Sequence, residues 1–407
     1  VAAQPAPQWT PLPGSPTHGY RFEDAAFVSP EAGWIVNGSG EVWSTEDGGL
    51  SWAFRSDSEG YLRSAAFPSA DLGWVGVLFS DTRLYETRDG GTTMTDVTDR
   101  IQPAIGGGVC GLWALDETHA FGVGEWDGPA YFIKTTDGGA TWQSTDMSAY
   151  ASSLIDVYFT DPMNGIVVGG TNATQAGSRA VVLTTTDGGA TWTERYRSSG
   201  TGTTAEWAWK ISFPTPEVGY VSVEFSSGGF DGKVLKTTDG GTTWQELSVP
   251  GGNSMQGVGF LSADVGWTSG RGTDKVTTNG GLTWESVFDL DGSVNRFEFF
   301  GDTLGFAMGQ EVYRLAFPVA AEPEPGPLAL SVQATPNPAS GAVTWRIRNT
   351  RAGRLTVVDA LGRTVATLPV APGSESLTWD ARGLAPGVYH ARLVSDGRAA
   401  TARVVLR

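Results

Sequence analysis

Along residues 1–317, short apolar runs alternate with clusters of Gly, Asp, Ser and Thr, the pattern of brief strands separated by tight turns. Seven runs end in an aromatic residue: Phe27, Phe67, Trp113, Phe159, Phe213, Phe260 and Phe299. Each is followed by a small residue and a large apolar one, which predicts the start of a second strand. These pairs are Gly33-Trp34, Gly73-Trp74, Ala120-Phe121, Gly165-Ile166, Gly219-Tyr220, Gly266-Trp267 and Gly305-Phe306. A longer signal comes next in six of the seven units. It reads Ser44-Thr-Glu-Asp-Gly-Gly-Leu-Ser-Trp52 in the first and Lys134-Thr-Thr-Asp-Gly-Gly-Ala-Thr-Trp142 in the third. Its key positions are Asp47, Asp89, Asp137, Asp187, Asp239 and Asn279, and Met94 replaces the closing Trp once.

Each unit therefore predicts four strands: a, ending in the aromatic; b, from the Gly-apolar pair; c, entering the box; and d, leaving it. One such sheet cannot bury both faces, so the sheets stack around an axis. The seventh unit has no box and no strand d, while Gln8-Trp-Thr-Pro-Leu-Pro13 resembles a strand d with no unit of its own. The N-terminus is thus expected to complete the last sheet. The predicted fold is all-β, a seven-bladed β-propeller over 1–317 at about 44 residues per blade, followed by a small β-sandwich.

The boxes resemble the Asp-box repeat of bacterial neuraminidases. Gly-Gly supplies positive φ for the c–d turn, and the Asp carboxylate accepts backbone N–H groups within it. Repetition in every blade assigns these carboxylates to folding, with the closing Trp packing on the outer sheet. Asp boxes also occur in sialidases and xyloglucan-cleaving glycosidases. A sialidase would need a Phe/Tyr-Arg-Ile-Pro segment, and the chain offers only Tyr20-Arg-Phe22 and Phe54-Arg-Ser56. The closer resemblance is to single seven-bladed propellers related to photosystem II assembly and stability factors, which implies a non-catalytic protein-binding scaffold. The arginine patch of the photosynthetic members is not evident here.

Charge divides the chain. The whole carries −17, but residues 329–407 hold ten Arg, no Lys and four acids, against 17 basic and 40 acidic residues over 1–328. The change falls at the Pro/acid stretch 318–328, read as a semi-stiff linker. The segment 329–407 resembles the C-terminal sorting domain of the type IX secretion system. The matching residues are Pro336-Asn-Pro338, Val357-Val-Asp-Ala-Leu-Gly-Arg363, Trp379-Asp380, Leu384, Gly387-Val-Tyr389 and Arg403-Val-Val-Leu-Arg407. The resemblance implies engagement of that secretion machinery and a secreted or outer-membrane-surface location. Val1-Ala-Ala-Gln-Pro-Ala-Pro7 reads as the end left by removal of a signal peptide.

An acidic body excludes nucleic acid as a partner, and no apolar run is long enough to span a membrane. Lone Cys110 and three histidines exclude a disulfide framework and a Cys/His zinc site. Asp289-Leu-Asp-Gly292 resembles the start of a calcium loop but lacks the remaining ligands. No metal and no cofactor are expected.

Two places are candidate sites. The longest d–a and b–c segments (95–108, 195–206, 169–179 and 225–233) predict a one-sided rim over blades 3 to 5. It carries Trp126, Tyr150, Trp207, Trp209 and Phe230 as binding aromatics for a cell-envelope protein or a glycan. The alternative is that the tryptophans pack between blades. Counting three residues back from each strand-a aromatic gives the second place, a ring of Asp24, Ser64, Cys110, Asp156, Lys210, Gly257 and Arg296 at the axis. Glu23, Arg63 and Asn295 stand one residue earlier. Lys210 and Arg296 are its binding candidates, unless the ring pairs internally and seals the channel. Asp24 and Asp156 form the best available acid pair for the alternative function, a glycosidase.

Overall fold

The computed structural model describes residues 7–16, 19–125, 127–172, 177–199, 204–226, 231–301, 304–316, 330–348, 351–395 and 398–407. The linker expected over 318–328 lies outside them. The chain divides into one compact unit over Ala6–Phe317 and another that holds the C-terminal residues from Pro318.

Among the described residues, the first unit contains seven sheets, antiparallel except for one short pair in the third. Six follow chain order, each with its innermost strand first, as in Phe22–Phe27, Gly33–Asn37, Glu41–Thr45 and Ala53–Asp57. The seventh joins Arg296–Phe300, Leu304–Met308 and Val312–Ala316 to the N-terminal strand Gln8–Pro11, with Trp9 opposite Leu315. The innermost strands touch one another in a closed cycle, that of Arg296–Phe300 meeting that of Phe22–Phe27. Blade 3 has a fifth strand. Ile101–Gln102 pairs in parallel with Trp142–Asp146, so the segment 95–108 is partly tied to sheet edges, at Thr95–Asp96 in blade 2 and Ile101–Gln102 in blade 3.

The Gly-apolar pairs have a packing reason. A Cβ built on Gly33, Gly73, Gly165, Gly219, Gly266 or Gly305 would sit 2.3–2.7 Å from the aromatic ring that ends strand a of the same blade. The missing side chain lets that ring lie across strand b. There it stacks on the apolar residue of the preceding blade: Phe67 on Trp34 at 4.3 Å, Phe159 on Phe121 at 3.6 Å, Phe260 on Tyr220 at 3.4 Å. Gly165→Ala forces a methyl to 2.4 Å from the Phe159 ring. We expect it to cost about 1–3 kcal/mol by overpacking, read as a lower midpoint in denaturant unfolding.

The boxes fasten neighbouring blades. In the first, Asp47 accepts the Ser51 N–H at 2.8 Å and the Ser51 hydroxyl at 2.6 Å, while the Gly49 N–H donates to Thr45 Oγ1 at 2.8 Å. Hydrogen bonds from the residue four positions on hold Asp47, Asp89, Asp137, Asp187 and Asp239 below the usual aspartate value. Asn279 does the same work with its amide, accepting from Thr283 N–H at 2.9 Å and donating to Thr283 Oγ1 at 2.8 Å. The first glycine of the pair ties the turn to its own a–b turn, as Gly188 N–H to Met163 O at 2.9 Å. The second butts against the preceding blade: a Cβ on Gly189, whose φ is 86°, would lie 2.3 Å from Phe132. In blade 4 the closing Trp follows it, with Trp192 edge-on to Phe132 at 5.2 Å. This corrects the expected outer-sheet packing: Trp142 and Trp192 meet rings of the preceding blade, while Trp52, Trp244 and Trp284 lie edge-on to the strand-a Phe of their own blade.

The C-terminal unit is two antiparallel sheets. One holds Ser331–Thr335, Ala342–Arg348 and Ser376–Asp380; the other holds Gly353–Val358, Thr364–Val370, Gly387–Ser395 and Arg398–Leu406. Alternate residues of both, including Trp345, Trp379, Leu355, Tyr389 and Val404, build one apolar core.

Candidate functional site at the propeller axis

Innermost strands of blades 1, 2, 4 and 5 each carry a register shift, at Phe22/Asp24, Leu62/Ser64, Leu154/Asp156 and Ala208/Ile211. An extra residue in a strand re-aims the side chains around it. Sequence spacing did not reveal these bulges, which explain how neighbours such as Glu23 and Asp24 both join the axial network.

Arg296 is the hub. Its guanidinium donates to both oxygens of Asp24 and to Asp156 Oδ1 at 3.2 Å, and both carboxylates are buried. Each carboxylate also caps the backbone of the next blade: Asp24 Oδ2 accepts Ala65 N–H at 3.1 Å and Asp156 Oδ2 accepts Ile211 N–H at 3.0 Å. Burial pushes the Asp24 carboxyl up, but Arg296 and Lys210 more than reverse it and hold it below its ordinary value. Lys210 Nζ lies 3.9 Å from Asp156 with no hydrogen-bond partner, and burial, then Arg296, brings it down to about 8. Nearer the start of the strands, Glu23 accepts from Arg21 at 2.8 Å and from the Tyr61 hydroxyl, with Arg63 at 3.6 Å. Asn295 donates to Glu23 O at 2.6 Å and accepts from Trp209 Nε1 at 3.0 Å. Four of the seven ring residues, Asp24, Asp156, Lys210 and Arg296, meet one another at the axis. The acid pair Asp24 and Asp156 shares one cation instead of flanking an open space.

The rim reading is corrected at two residues. Trp207 and Trp209 are 6% and 7% exposed, because the innermost strand of blade 5 begins at Glu206 and takes both into the interior. Trp207 packs over Gly170, and Trp209 lies under Arg63 at 5.6 Å. Tyr150 is partly buried against the core shared by blades 3 and 4. Trp126 and Phe230 lie outside the described residues. Cys110 is buried, and burial raises its thiol. The calcium-like run serves the seam: Asp289 Oδ2 accepts Trp9 N–H at 2.7 Å, and Asp291 accepts from Ser293 and Gln310 at 2.8 Å.

The axis is open at the other end, on the face of the box turns. Two cavities of about 140 and 560 Å³ meet there and share Trp113, Arg296 and Glu298. Ala26 and Ala66 line the smaller and Ser212 the larger. Blade 3 breaks the glycine rule at this point. Ala120 stands where the six other blades have Gly, and Trp113 lies at the mouth, 4.9 Å from Tyr158, which stacks on Phe213 at 5.0 Å. Glu298 stands among them, its side chain 31% exposed and 4.0 Å from Arg296. Burial raises its carboxyl to about 7, with Arg296 opposing and Asp24 and Asp156 adding to the rise. Sequence reasoning missed Glu298; the signal was period-two alternation from Arg296 along the same strand.

Residues 334–407 match the secretion system C-terminal sorting domain, and residues 140–253 match photosynthesis system II assembly factor YCF48. No curated protein matches the chain. Among solved structures, YCF48 from Cyanidioschyzon merolae is 21% identical with a TM-score of 0.58, over 76% of this chain and 99% of that one. YCF48 bound to D1 peptide is 19% identical with a TM-score of 0.56, over 78% and 98%. PorZ, a surface component of the type IX secretion system of Porphyromonas gingivalis, is 13% identical with a TM-score of 0.53, over 95% and 59%. The GH74 xyloglucanase of Xanthomonas campestris is 11% identical with a TM-score of 0.54, over 97% and 75%. These likenesses establish the fold. The chain joins a BNR-like propeller to a type IX sorting tail, and that tail marks it for export. Among the described residues no helix is long and apolar enough to cross a membrane.

Proposed function

We propose that the propeller is a non-catalytic recognition module, exported by its sorting tail and holding a cell-envelope partner at the axial mouth of the box face. The observation that carries this reading is the coordination of Asp24 and Asp156. Each is fastened by Arg296 and by a backbone N–H, so both act as structural ties. A glycosidase needs one carboxyl to hold a proton and the other to face the sugar. A solved YCF48 is bound to D1 peptide, which supports a polypeptide partner.

Pull-down from the native cell envelope, run beside a glycan array, tests the module; any glycan that binds is then assayed for hydrolysis. Binding without turnover is expected. Turnover abolished by Asp24→Asn or Asp156→Asn would assign a glycosidase instead. Export has its own test. Removal of residues 329–407 is expected to leave the propeller in the periplasm, as read by cell fractionation, and normal surface delivery without the tail would reject the assignment.

A further inference from the structure

We propose that the axial mouth takes the cationic side chain of a partner protein, a lysine or an arginine, with Glu298 as its counter-ion and Trp113, Tyr158 and Phe213 as its walls. The proposal rests on the reading of the propeller as a binding module and names the chemistry of its ligand.

Charge counting gives the sign of the ligand. The charges that act on Glu298 are Arg296 and Lys210 against Asp24 and Asp156, while Glu23 is matched separately by Arg21 and Arg63. With Glu298 ionised these five groups carry three negative charges against two positive, and a single incoming cation at the mouth neutralises them locally. Arg296 is shared among three carboxylates: its closest contacts go to Asp24 and Asp156, and Glu298 makes the longest, at 4.0 Å. Among the described residues no hydrogen bond reaches the Glu298 carboxylate. The walls fit the same ligand, because the face of an aromatic ring attracts an ammonium or guanidinium group. The larger cavity, about 560 Å³, has room for a long side chain with flanking backbone. The surrounding field agrees: 40 acidic against 17 basic residues over 1–328 draws cations in and repels anions.

The test uses the full chain and four acetylated, amidated peptides, Gly-Gly-Xaa-Gly-Gly, with Xaa as Lys, Arg, norleucine or Glu, plus cellotetraose as a neutral glycan. Binding is followed by calorimetry and tryptophan fluorescence. The Lys and Arg peptides are expected to bind at least ~10-fold more tightly than the norleucine peptide. Glu298→Gln keeps the side-chain shape and is expected to erase that preference without lowering the thermal midpoint, since it removes a carboxylate that burial disfavours; Trp113→Ala weakens all four. In the wild type the preference grows between about pH 6 and about pH 8 as Glu298 ionises against Arg296, Asp24, Asp156 and Lys210. Equal binding of the norleucine peptide, an unchanged preference in Glu298→Gln, or cellotetraose binding in place of the peptides would each overturn the proposal. Envelope capture that survives Glu298→Gln would do so while leaving the binding module intact, whereas absence of any capture by the wild type fails the module itself.

Discussion

A chain lacking residues 1–14 is expected to melt at least ~10 °C below the full chain, since a loss of several kcal/mol moves a domain of this size by roughly 2–4 °C per kcal/mol. The deletion strips blade 7 of its outer strand, Gln8–Pro11, and exposes the edge of Val312–Ala316. It also removes Trp9, 3% exposed and edge-on to Trp267 at 5.3 Å, and Leu12, 8% exposed. A buried Trp or Leu truncated to Ala costs about 2–5 kcal/mol, and both go at once. The closing function of Trp9 can be isolated, because Trp9→Ala keeps the strand and removes the wedge between blades 6 and 7. Scanning calorimetry of both variants is the measurement, and an unchanged midpoint for the deletion would reject the seam.

Arg296→Met is expected to destabilise the propeller by about 3–5 kcal/mol, the range for removing one partner of a buried ion pair. The change strands two carboxylates, Asp24 and Asp156, whose side chains are 0% and 2% exposed. Asp24→Asn/Asp156→Asn/Arg296→Met should recover most of the loss, since each Asn still accepts its backbone N–H, from Ala65 or Ile211. The pH dependence separates charge from shape. In the wild type Asp24 is held below its unfolded value, so its contribution is present above that value and lost as acid protonates the folded carboxyl. Without Arg296 burial is the largest influence on the Asp24 carboxyl, which then binds a proton more readily than in the unfolded chain. The variant should therefore gain stability relative to wild type as pH falls from about 7 toward about 4, measured by urea unfolding at each pH. A gap independent of pH would mean that Arg296 contributes packing alone.

Strand order was legible because each signal has a local cause. The Gly-apolar pair marks strand b, since the ring of strand a needs the room a Cβ would take, and the box marks the c–d turn through its own hydrogen bonds. The axial ring was legible as a set of positions, and four of its seven members meet, with Arg296 on Asp24 and Asp156 and Lys210 beside Asp156. The rim was not. Where strand a of blade 5 begins depends on pairing with Gly219–Phe225, so Trp207 and Trp209 read as loop residues and fold as core. Glu298 escaped for a related reason. Its importance comes from cavities left by small residues on other blades, and no stretch of neighbouring sequence records that convergence.

The seam between Gln8–Pro11 and Val312–Ala316 also sets an order in time. The first strand of the propeller to be made pairs with the last, so the ring cannot shut until the whole unit has been delivered. Contacts this remote in the chain form late and slowly. Until then Trp9, Trp267 and Phe297 have no common core, and the edge at Val312–Ala316 is unpaired. A chain that must travel across an envelope is thus kept from closing its ring early by its own connectivity, and a truncated product stays open, as a substrate for proteases.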